Sequence, residues 1–313
     1  MKLKHITGEE EKNLTPSQID RPVYLLNFPQ GLRTDNPNNS LMKKMTPEQR
    51  KVDHDKANSQ FLELNKFILE IGGVVYLVPT DFNYQDQVYV SNLGIYLPHI
   101  KDKNVIIAAN FKTPPRRGEE DIGIKFFELM GYEVHRPSSF WEGQAELRYI
   151  RDNIYVGGYG QRSVQSAYDW MKRKFNMIIP TVETRYPDMY HLDCSMLRLT
   201  PEKILCPMKA FSPEEISELE KYVEILDVPF EIATTGSFNG VRAGNFMMYG
   251  DPATYIEPGQ TKQDKILIDK IFKFHDIVSK ASGLEPKFFD LTEFEKSGAD
   301  LGCMVMYLNY YGQ

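Results

Sequence analysis

Hydrophobic positions along the chain repeat one pattern five times: an amphipathic helical stretch, a short turn and a β-rich run. The copies are FILEIGGVVYLVP, FFELMGYEVHRP, MKRKFNMIIPTV, KYVEILDVPFEIA and SKASGLEPKFFDL. Their β-rich runs begin near Val74, Glu133, Met177, Phe230 and Lys287. These starts lie roughly 45 to 60 residues apart, a period typical of propellers and other repeat architectures. The pattern therefore predicts five related units.

Two helix starts carry the sequence of a capping box. Residues 46–49 (TPEQ) and 212–215 (SPEE) each offer an N-cap hydroxyl, a proline in the first turn and a Glu or Gln that can bond back to the cap. After the first start, apolar residues recur at helical spacing and predict a buried face formed by Phe61, Leu64, Ile68 and Ile71. Gly72-Gly73 and Gly131 predict helix ends, because glycine readily adopts the left-handed conformation.

Short β-strand candidates lie between the helices: QVYVSNLGIYL, NVIIAANF, NIYVGGYG, YHLDCSMLRL, KILCPM and GCMVMYLN. We therefore predict an α/β fold, a five-bladed pseudo-symmetric propeller built of ββαβ-like units. No linker or low-complexity tract divides the chain, which predicts a single domain over residues 1–313 with residues 1–20 as an N-terminal extension. Two loops rich in Pro, Asn or Gly, near Asn36 and Asp251, are candidates to cover a site.

Composition and charge narrow the functional classes. The chain has 313 residues, of which 42% are hydrophobic and 26% charged, as in an ordinary globular protein. Its net charge of −6 and the absence of a basic stripe argue against a nucleic-acid or anionic-membrane surface. No apolar run reaches the roughly 18 residues of a membrane span, and the N-terminal sequence has no signal-peptide core. We expect a soluble cytoplasmic protein that acts on a small molecule, and a homo-oligomer stays open.

The cysteines do not form a disulfide framework or a zinc site. Only Cys194, Cys206 and Cys303 are present, an odd and sparse set that fits a reducing compartment. His191 lies near two of them, but no second paired cluster supplies the further ligands of zinc. The sequence therefore predicts no metal.

Two ionisable residues interrupt an apolar run in DMYHLDCSML. If this run is a strand, His191 and Asp193 point to the same side, since residues i and i+2 share a face. An isolated histidine is usually a hydrogen-bonded core residue. A carboxylate on the same buried face raises the cost of burial and favours a functional pair.

Two further residue types complete a set with catalytic potential. Cys303 follows a glycine-containing loop near the C-terminus and is a candidate nucleophile, although most free cysteines are inert core residues. Glu142 follows two aromatic residues in SSFWEGQAEL. Partial burial there would raise its pKa and suit it to orient a histidine, and the alternative is a solvated turn.

Four motifs in order, FWEGQAEL, GGYGQRS, YHLDCSMLRL and SGADLGCMVM, resemble those of the guanidine-modifying superfamily, the penteins. The superfamily includes arginine deiminases, dimethylarginine dimethylaminohydrolases, amidinotransferases and arginine dihydrolases. The resemblance covers most of the chain and implies a five-bladed α/β propeller with a central substrate channel. This agrees with the five units counted independently from hydrophobic periodicity.

The resemblance also implies residue roles. Cys303 would be the nucleophile, His191 the general acid and base, Glu142 its orienting partner, and Asp193 a ligand of the guanidinium group. A guanidinium carbon is a poor electrophile, so the reaction needs a strong nucleophile and a protonated leaving amine. The thiolate supplies the first and His191 the second, and no metal or organic cofactor is required.

Asn92 distinguishes the chain within this superfamily. Many members carry Asp at the matching position in QVYVSNLGIYL, whereas Asn is similar to the arginine dihydrolases, as is the FKTPPRRGEE segment. An Asn amide can donate a hydrogen bond to a neutral ureido oxygen, which an ionised Asp cannot. The structural alternative is that Asn92 caps a turn.

The resemblance also implies that three further residues bind the substrate. Arg116 in PRRGEE and Arg162 in GYGQRS would bind the substrate carboxylate through their planar guanidinium groups. Asn39 in NPNNSLM would bind the α-amino or carboxylate group, with Asn36 as a competing candidate.

The sequence leads to one principal hypothesis and four alternatives. The principal one is an arginine dihydrolase that releases ornithine, CO2 and ammonia through a Cys-linked amidino intermediate. The alternatives are an arginine deiminase that stops at citrulline, a methylarginine deiminase, an amidinotransferase and a non-catalytic binding propeller.

Overall fold

Five three-stranded sheets make up the fold. The computed structural model describes residues 14–237, 239–254 and 261–313. Within these residues each sheet takes three strands. In chain order the strands are β1 (Val23–Leu26), β2 (Val74–Leu77), β3 (Gly94–Tyr96), β4 (Val105–Ala108), β5 (Glu133–His135), β6 (Leu147–Arg151), β7 (Ile154–Tyr159), β8 (Thr181–Glu183), β9 (Leu197–Thr200), β10 (Lys203–Cys206), β11 (Glu224–Asp227), β12 (Val241–Ala243), β13 (Phe246–Gly250), β14 (Glu285–Phe289) and β15 (Met306–Tyr307).

The helices of the described residues differ greatly in length. They are α1 (Ser40–Lys44), α2 (His54–Glu70), α3 (Glu119–Leu129), α4 (Gln165–Phe175), α5 (Pro213–Leu219), α6 (Phe230–Ala233), α7 (Lys262–Ser282), α8 (Thr292–Glu295) and α9 (Leu301–Met304). Five of them, α2, α3, α4, α5 and α7, each connect the second and third strands of one sheet.

Every sheet has the same topology. Its first strand is antiparallel to the second, and the second is parallel to the third across the connecting helix, as in β3, β4 and β5. A parallel pair needs such a crossover, whereas an antiparallel pair needs only a short turn. The remaining sheet joins the two ends of the chain, because β15 pairs antiparallel with β1 and β1 pairs parallel with β2. The predicted fold of five ββαβ units is confirmed.

The strand starts predicted from periodicity are partly confirmed. Strands begin at Val74 and Glu133 as predicted, and β14 includes Lys287. The β-rich run that was predicted to begin near Met177 is β8, which begins at Thr181. The prediction at Phe230 is wrong: β11 ends at Asp227, and Phe230 begins the short helix α6 after Pro229.

One of the two predicted helix starts is wrong. Residues 46–49 make both capping-box hydrogen bonds but form only a turn, and α2 begins at His54 with Asp53 as its N-cap. The second capping box is confirmed at Ser212, at the start of α5. The predicted core face of α2 is buried at Phe61, Leu64 and Ile68.

The helix-ending glycines behave as predicted at two positions. Gly72 and Gly131 have φ of +86° and +85°, and each follows a helix end. Gly73 has no left-handed conformation, but the Cβ of any other residue there would meet the Ile68 carbonyl oxygen at 2.9 Å.

The N-terminal segment and the two candidate covering loops are only partly described. Residues 1–13 of the predicted extension and residues 255–260 of the loop near Asp251 lie outside the described residues. Residues 14–20 pack against the fold, where Asn309 Nδ2 donates to the Ile19 carbonyl at 3.1 Å. The loop near Asn36 is described, and the Asn36 backbone amide donates to Gln85 Oε1 at 3.0 Å. In the described part of the chain no helix is both long and apolar enough to span a bilayer.

Candidate active site

The predicted site residues lie at equivalent places in different units. Asn92, Glu142, His191 and Cys303 each come a few residues before the first strand of a sheet, namely β3, β6, β9 and β15. These first strands contact one another, β6 with β9 and β15 with β3. The fold therefore brings together side chains that are far apart in sequence.

A cleft of about 310 Å³, including its open mouth, lies where these segments meet. Six of the eight predicted site residues line it, and Asp86, Tyr89 and Tyr190 complete much of its wall. The six are Asn39, Asn92, Arg116, Arg162, His191 and Cys303. The other two, Glu142 and Asp193, lie directly behind His191 and Cys303.

His191 and Glu142 form a buried pair. The histidine Nε2 and the carboxylate Oε2 are 2.8 Å apart, and both side chains are almost fully buried. Burial alone would raise the pKa of Glu142, but the hydrogen bond from His191 and the charge of Arg162 lower it to about 2. The other ring nitrogen, Nδ1, is therefore the one that forms no hydrogen bond within the described residues.

The glycine after Glu142 explains how this carboxylate reaches His191. Gly143 has φ of +68°, a left-handed conformation, and a Cβ there would lie 2.4 Å from the Asn92 carbonyl carbon. A larger residue would therefore clash with the neighbouring unit. The Glu-Gly pair is thus required for the close packing of two site segments.

Cys303 lies on α9 with its thiol beside a carboxylate. Its Sγ is 3.5 Å from Asp193 Oδ2, and Asn239 Nδ2 lies 3.9 Å from the sulfur. Burial first, and then the negative charge of Asp193, hold the pKa of this thiol well above its usual value. Without a ligand the thiol is therefore protonated, and a cation bound beside it would favour the thiolate.

The structure brings His191 and Asp193 together in a way that the strand argument missed. The run around them is not a strand: His191 precedes a 3-10 helix, Leu192–Cys194, that contains Asp193. The strand β9 begins only at Leu197. The shared-face argument was therefore wrong, although both side chains reach the site.

Glu146, a carboxyl group that the sequence did not single out, holds this 3-10 helix. Glu146 Oε2 accepts a hydrogen bond from the Leu192 amide at 3.2 Å. Burial, followed by repulsion from Glu142, raises the pKa of Glu146 well above its usual value. The carboxyl group of Glu146 therefore holds the backbone next to His191 in place.

Asn92 is fixed on both sides of its amide. Arg116 Nη1 donates to Asn92 Oδ1 at 2.9 Å, while Asn92 Nδ2 donates to the Glu142 carbonyl at 3.3 Å and lies 3.5 Å from His191 Nε2. These bonds assign the amide orientation: oxygen toward the arginine and nitrogen toward the histidine.

Arg116 is placed at the cleft but is already engaged. Its Nε and Nη2 donate to the same oxygen of Glu119 at 3.0 and 2.7 Å, and Nη2 also donates to the carbonyls of Asp86 and Tyr89. The bidentate face of its guanidinium is therefore occupied within the protein. Burial raises the pKa of Glu119 to about 7 even though the charge of Arg116 opposes this shift.

Arg162 and Asn39 also line the cleft. The guanidinium of Arg162 lies 4.8 Å from the ring centre of Tyr190 and donates to the Asn38 carbonyl at 2.9 Å. Asn39 is the N-cap of α1: its Oδ1 accepts from the Met42 amide and its Nδ2 donates to the Ser297 carbonyl. The side chain of Asn39 is thus largely engaged in holding the loop.

Asp86 is a further site residue that the sequence analysis did not identify. Its carboxylate is buried at the cleft wall and accepts hydrogen bonds from Asn38 Nδ2 and Gln85 Nε2. Burial raises its pKa, and the charge of Arg116 opposes the shift. The sequence offered one signal for Asp86: it is a charged residue at the start of the apolar run QDQVYV, six residues before Asn92.

The described residues contain no cluster of three or more His, Cys, Asp or Glu side chains that could hold a metal ion.

Comparison with known proteins supports the fold. No protein-family model matches the chain. Among curated proteins, the uncharacterized protein ZK1307.1 of Caenorhabditis elegans is 26% identical over 265 residues, which are 82% of this chain and 85% of that protein.

Several solved structures share the architecture. The N-terminal domain of ArgZ, an arginine dihydrolase from cyanobacteria, has a TM-score of 0.76 and 19% identity, covering 92% of this chain and 98% of that domain. AgrE has the same TM-score at 20% identity, and the match covers 94% of this chain but only 40% of AgrE. A dimethylarginine dimethylaminohydrolase has a TM-score of 0.64 at 16% identity, covering 92% of this chain and 99% of that one. The chain therefore shares the fold of these structures, which agrees with the five-unit α/β fold predicted from the sequence.

Proposed function

We propose that this protein is a cysteine-dependent hydrolase of a guanidino compound, and that it converts arginine to ornithine, CO2 and two ammonia. The observation that carries the proposal is a cleft lined by a thiol, a histidine with one unpartnered ring nitrogen and the buried carboxylate of Asp86, with the Asp193 carboxylate directly behind the thiol. Similarity in fold to an arginine dihydrolase supports the choice of substrate.

The two carboxylates suit a planar cation. Asp193 lies beside the Cys303 sulfur, and Asp86 is buried in the wall of the same cleft. Charge-assisted hydrogen bonds from a guanidinium to both carboxylates would place its carbon next to the sulfur. The cation would also offset the repulsion between Asp193 and a thiolate, which favours deprotonation of Cys303.

The reaction then proceeds by covalent catalysis. The Cys303 thiolate attacks the guanidinium carbon, and His191 protonates a terminal nitrogen. That nitrogen departs as ammonia, and an amidino-thioether remains on Cys303. The neutral His191 takes a proton from water, which attacks the same carbon and expels the thiolate, giving the ureido group of citrulline. A second cycle on the ureido carbon expels the second ammonia. Hydrolysis then releases ornithine and CO2, so that two waters are consumed for each arginine.

Asn92 supports the second cycle. The ureido group is neutral and carries a carbonyl oxygen, which needs a hydrogen-bond donor. Asn92 Nδ2 points toward His191, where it can act as that donor. Arg116 holds the amide in this orientation and is proposed as a positioning residue, with Arg162 as the principal ligand of the substrate carboxylate.

A single hydrolysis that stops at citrulline is the second candidate. It is favoured by Asp86, because two buried carboxylates bind a cationic guanidinium better than a neutral ureido group. The two candidates differ in their products, so one assay separates them.

The test is incubation of the purified protein with arginine, followed by quantification of ornithine, citrulline and ammonia by mass spectrometry and a coupled assay. We expect ornithine with about two ammonia per arginine. Citrulline with one ammonia would instead favour the second candidate.

The Cys303→Ser variant should turn over arginine at least about 100-fold more slowly than the wild type. Cys206→Ser, a control at a buried thiol on β10, should keep the wild-type rate. Unchanged turnover in Cys303→Ser would refute the proposed chemistry.

A further inference from the structure

Three arginines occupy equivalent positions in three units of the fold. Arg148, Arg198 and Arg242 are each the second residue of a first strand, in β6, β9 and β12. Tyr307 is the second residue of β15. The four side chains line one cavity together with Gln144. Equivalent positions in three separate sheets therefore bring three arginines to one cavity.

This cavity is distinct from the candidate active site. The catalytic candidates precede the first strands, whereas these arginines lie within the strands, further along the chain direction. Gln144 separates the two regions: its Oε1 accepts from the Tyr307 amide at 3.1 Å, and its Nε2 donates to the Val305 carbonyl at 3.4 Å. None of the residues that line the cavity also lines the active-site cleft.

The three arginines have no carboxylate partner among the described residues. Arg148 donates only to the Gln144 carbonyl, and Arg198 only to Gln313 Oε1. Arg242 donates to the carbonyls of Gly244 and Gly312. A guanidinium carries five N–H donors and stays charged in proteins, so most of these donors are unused. Among the described residues, ion pairs form at five of the other ten arginines, including Arg116 and Arg185.

Buried donors without partners point to a missing acceptor. Arg198 Nε and the Tyr310 hydroxyl are both inaccessible to solvent and without a hydrogen-bond partner, and both residues line the cavity. Burial, and to a smaller extent the charge of Arg242, lower the pKa of Arg198. Like charges that are partly removed from water destabilise the empty site.

We propose that this cavity is a binding site for a phosphate-type oxyanion. Three guanidinium groups that approach from three directions match the oxygens of a tetrahedral dianion, to which arginine donates paired hydrogen bonds. A planar carboxylate would satisfy fewer of these donors. The cavity encloses only about 20 Å³ of free space, and its volume of about 340 Å³ with the open mouth includes solvent, so the anion would bind at the mouth.

The test is calorimetric titration of the full chain with inorganic phosphate, at constant ionic strength set by a bulky organic sulfonate. We expect saturable binding with one site per chain, and a melting temperature that rises with phosphate concentration. Arg198→Gln and Arg242→Gln should each weaken binding by at least about tenfold. Arg173→Gln is the matched control, because Arg173 is exposed on α4, and it should bind as the wild type does.

A second readout separates a binding site from a purely structural one. In phosphate-free buffer Arg198→Gln and Arg242→Gln should melt at a higher temperature than the wild type, because each removes like-charge repulsion. A structural role would lower the melting temperature. Absence of saturable binding to the wild type, or a phosphate affinity in both variants equal to that of the wild type, would overturn the proposal. Binding of glycerol phosphate as well as the free ion would support it and identify a phosphate ester as an acceptable ligand.

Discussion

Asn92 is the residue on which the number of hydrolysis steps depends in this account. Its amide oxygen accepts from Arg116, which leaves its nitrogen as the donor facing His191. An Asp at this position would keep the interaction with Arg116. It would offer only acceptors to a substrate when ionised.

We therefore predict that Asn92→Asp changes the product and not only the rate. A carboxylate can bind the cationic guanidinium but cannot donate to the neutral ureido oxygen. Citrulline should accumulate, and the ratio of ornithine to citrulline should fall at least about tenfold. Mass spectrometry of the products measures this ratio, and Asn83→Asp, at an exposed loop position, is the control. If Asn92 only caps a turn, the ratio will stay as in the wild type.

Glu295 gives a prediction for the pH dependence of stability. Burial, then the charges of Asp300 and Asp290, raise its pKa from 4.5 to about 8. A folded-state pKa above the unfolded value stabilises the fold at low pH. This contribution is complete below about 4.5 and is lost as the pH rises toward 8.

Glu295→Gln should therefore stabilise the protein above pH 8, because the amide need not ionise in a buried place. Melting temperatures should rise by about 2 to 4 °C there, and the difference from the wild type should shrink toward pH 5. Thermal unfolding across this pH range measures it, with Glu285→Gln, at the exposed first residue of β14, as the control. A variant that is less stable than the wild type at pH 9 would contradict the assignment.

At the residue scale the sequence identified candidates that share the motifs of a known superfamily. Cys303, His191 and Glu142 could be named in this way, and the structure places them in contact or on one cleft. Asp86 and Glu146 could not, because a single carboxylate in a short apolar run does not reveal which cavity it faces. Their roles depend on packing between units that are distant in sequence.

Two equal capping motifs lead to different elements. The bonds at Thr46 close only one turn, and α2 begins later, at His54, whereas the bonds at Ser212 begin α5. A capping box satisfies backbone donors, but a helix also needs an apolar face to pack. Ile216 and Leu219 supply that face in α5 and are buried.

Ser212→Ala should therefore lower the free energy of unfolding by about 1 kcal/mol, the usual cost of removing an N-cap. Thr46→Ala, the matched control, should cost less than half as much, because its turn is exposed. Urea unfolding of both variants provides the comparison. Equal losses would show that the turn at Thr46 stabilises the fold as much as a helix start does.

Sequence periodicity predicted the elements better than their boundaries. Amphipathic helices were identified from their apolar faces, which the packing of each unit requires. The run around Phe230 was misread because a short helix and a strand have similar apolar content over four residues. The run around His191 failed for another reason: Glu146 fixes a 3-10 helix there from another segment.

At the scale of the whole molecule, the two ends of the chain close the set of five units. Asn309 stabilises this closure: its Oδ1 accepts from the Val23 amide at 3.0 Å, and its Nδ2 donates to the carbonyls of Ile19 and Arg21. Five units could be counted from the sequence. Only the pairing of strands in three dimensions shows that the fifth unit combines β15 with β1.

Asn309→Ala should destabilise the fold by about 2 to 4 kcal/mol, because it leaves several buried backbone groups without partners. Urea unfolding should show a lower midpoint with an unchanged slope. Asn245→Ala is the control, since this residue is exposed and its side chain makes no hydrogen bond to the described residues. A loss no larger than that of the control would contradict a closing role for Asn309.

We propose that Cys303 is a nucleophile next to a site for a guanidinium cation, and alkylation by 2-chloroacetamidine followed by peptide mass spectrometry tests this role. We expect selective modification of Cys303, faster than by neutral chloroacetamide and slowed by arginine, because only the cation favours the thiolate beside Asp193. Cys194 and Cys206 are internal controls, with thiol pKa values that burial raises. Modification of Cys206 as fast as Cys303, or no protection by arginine, would contradict it.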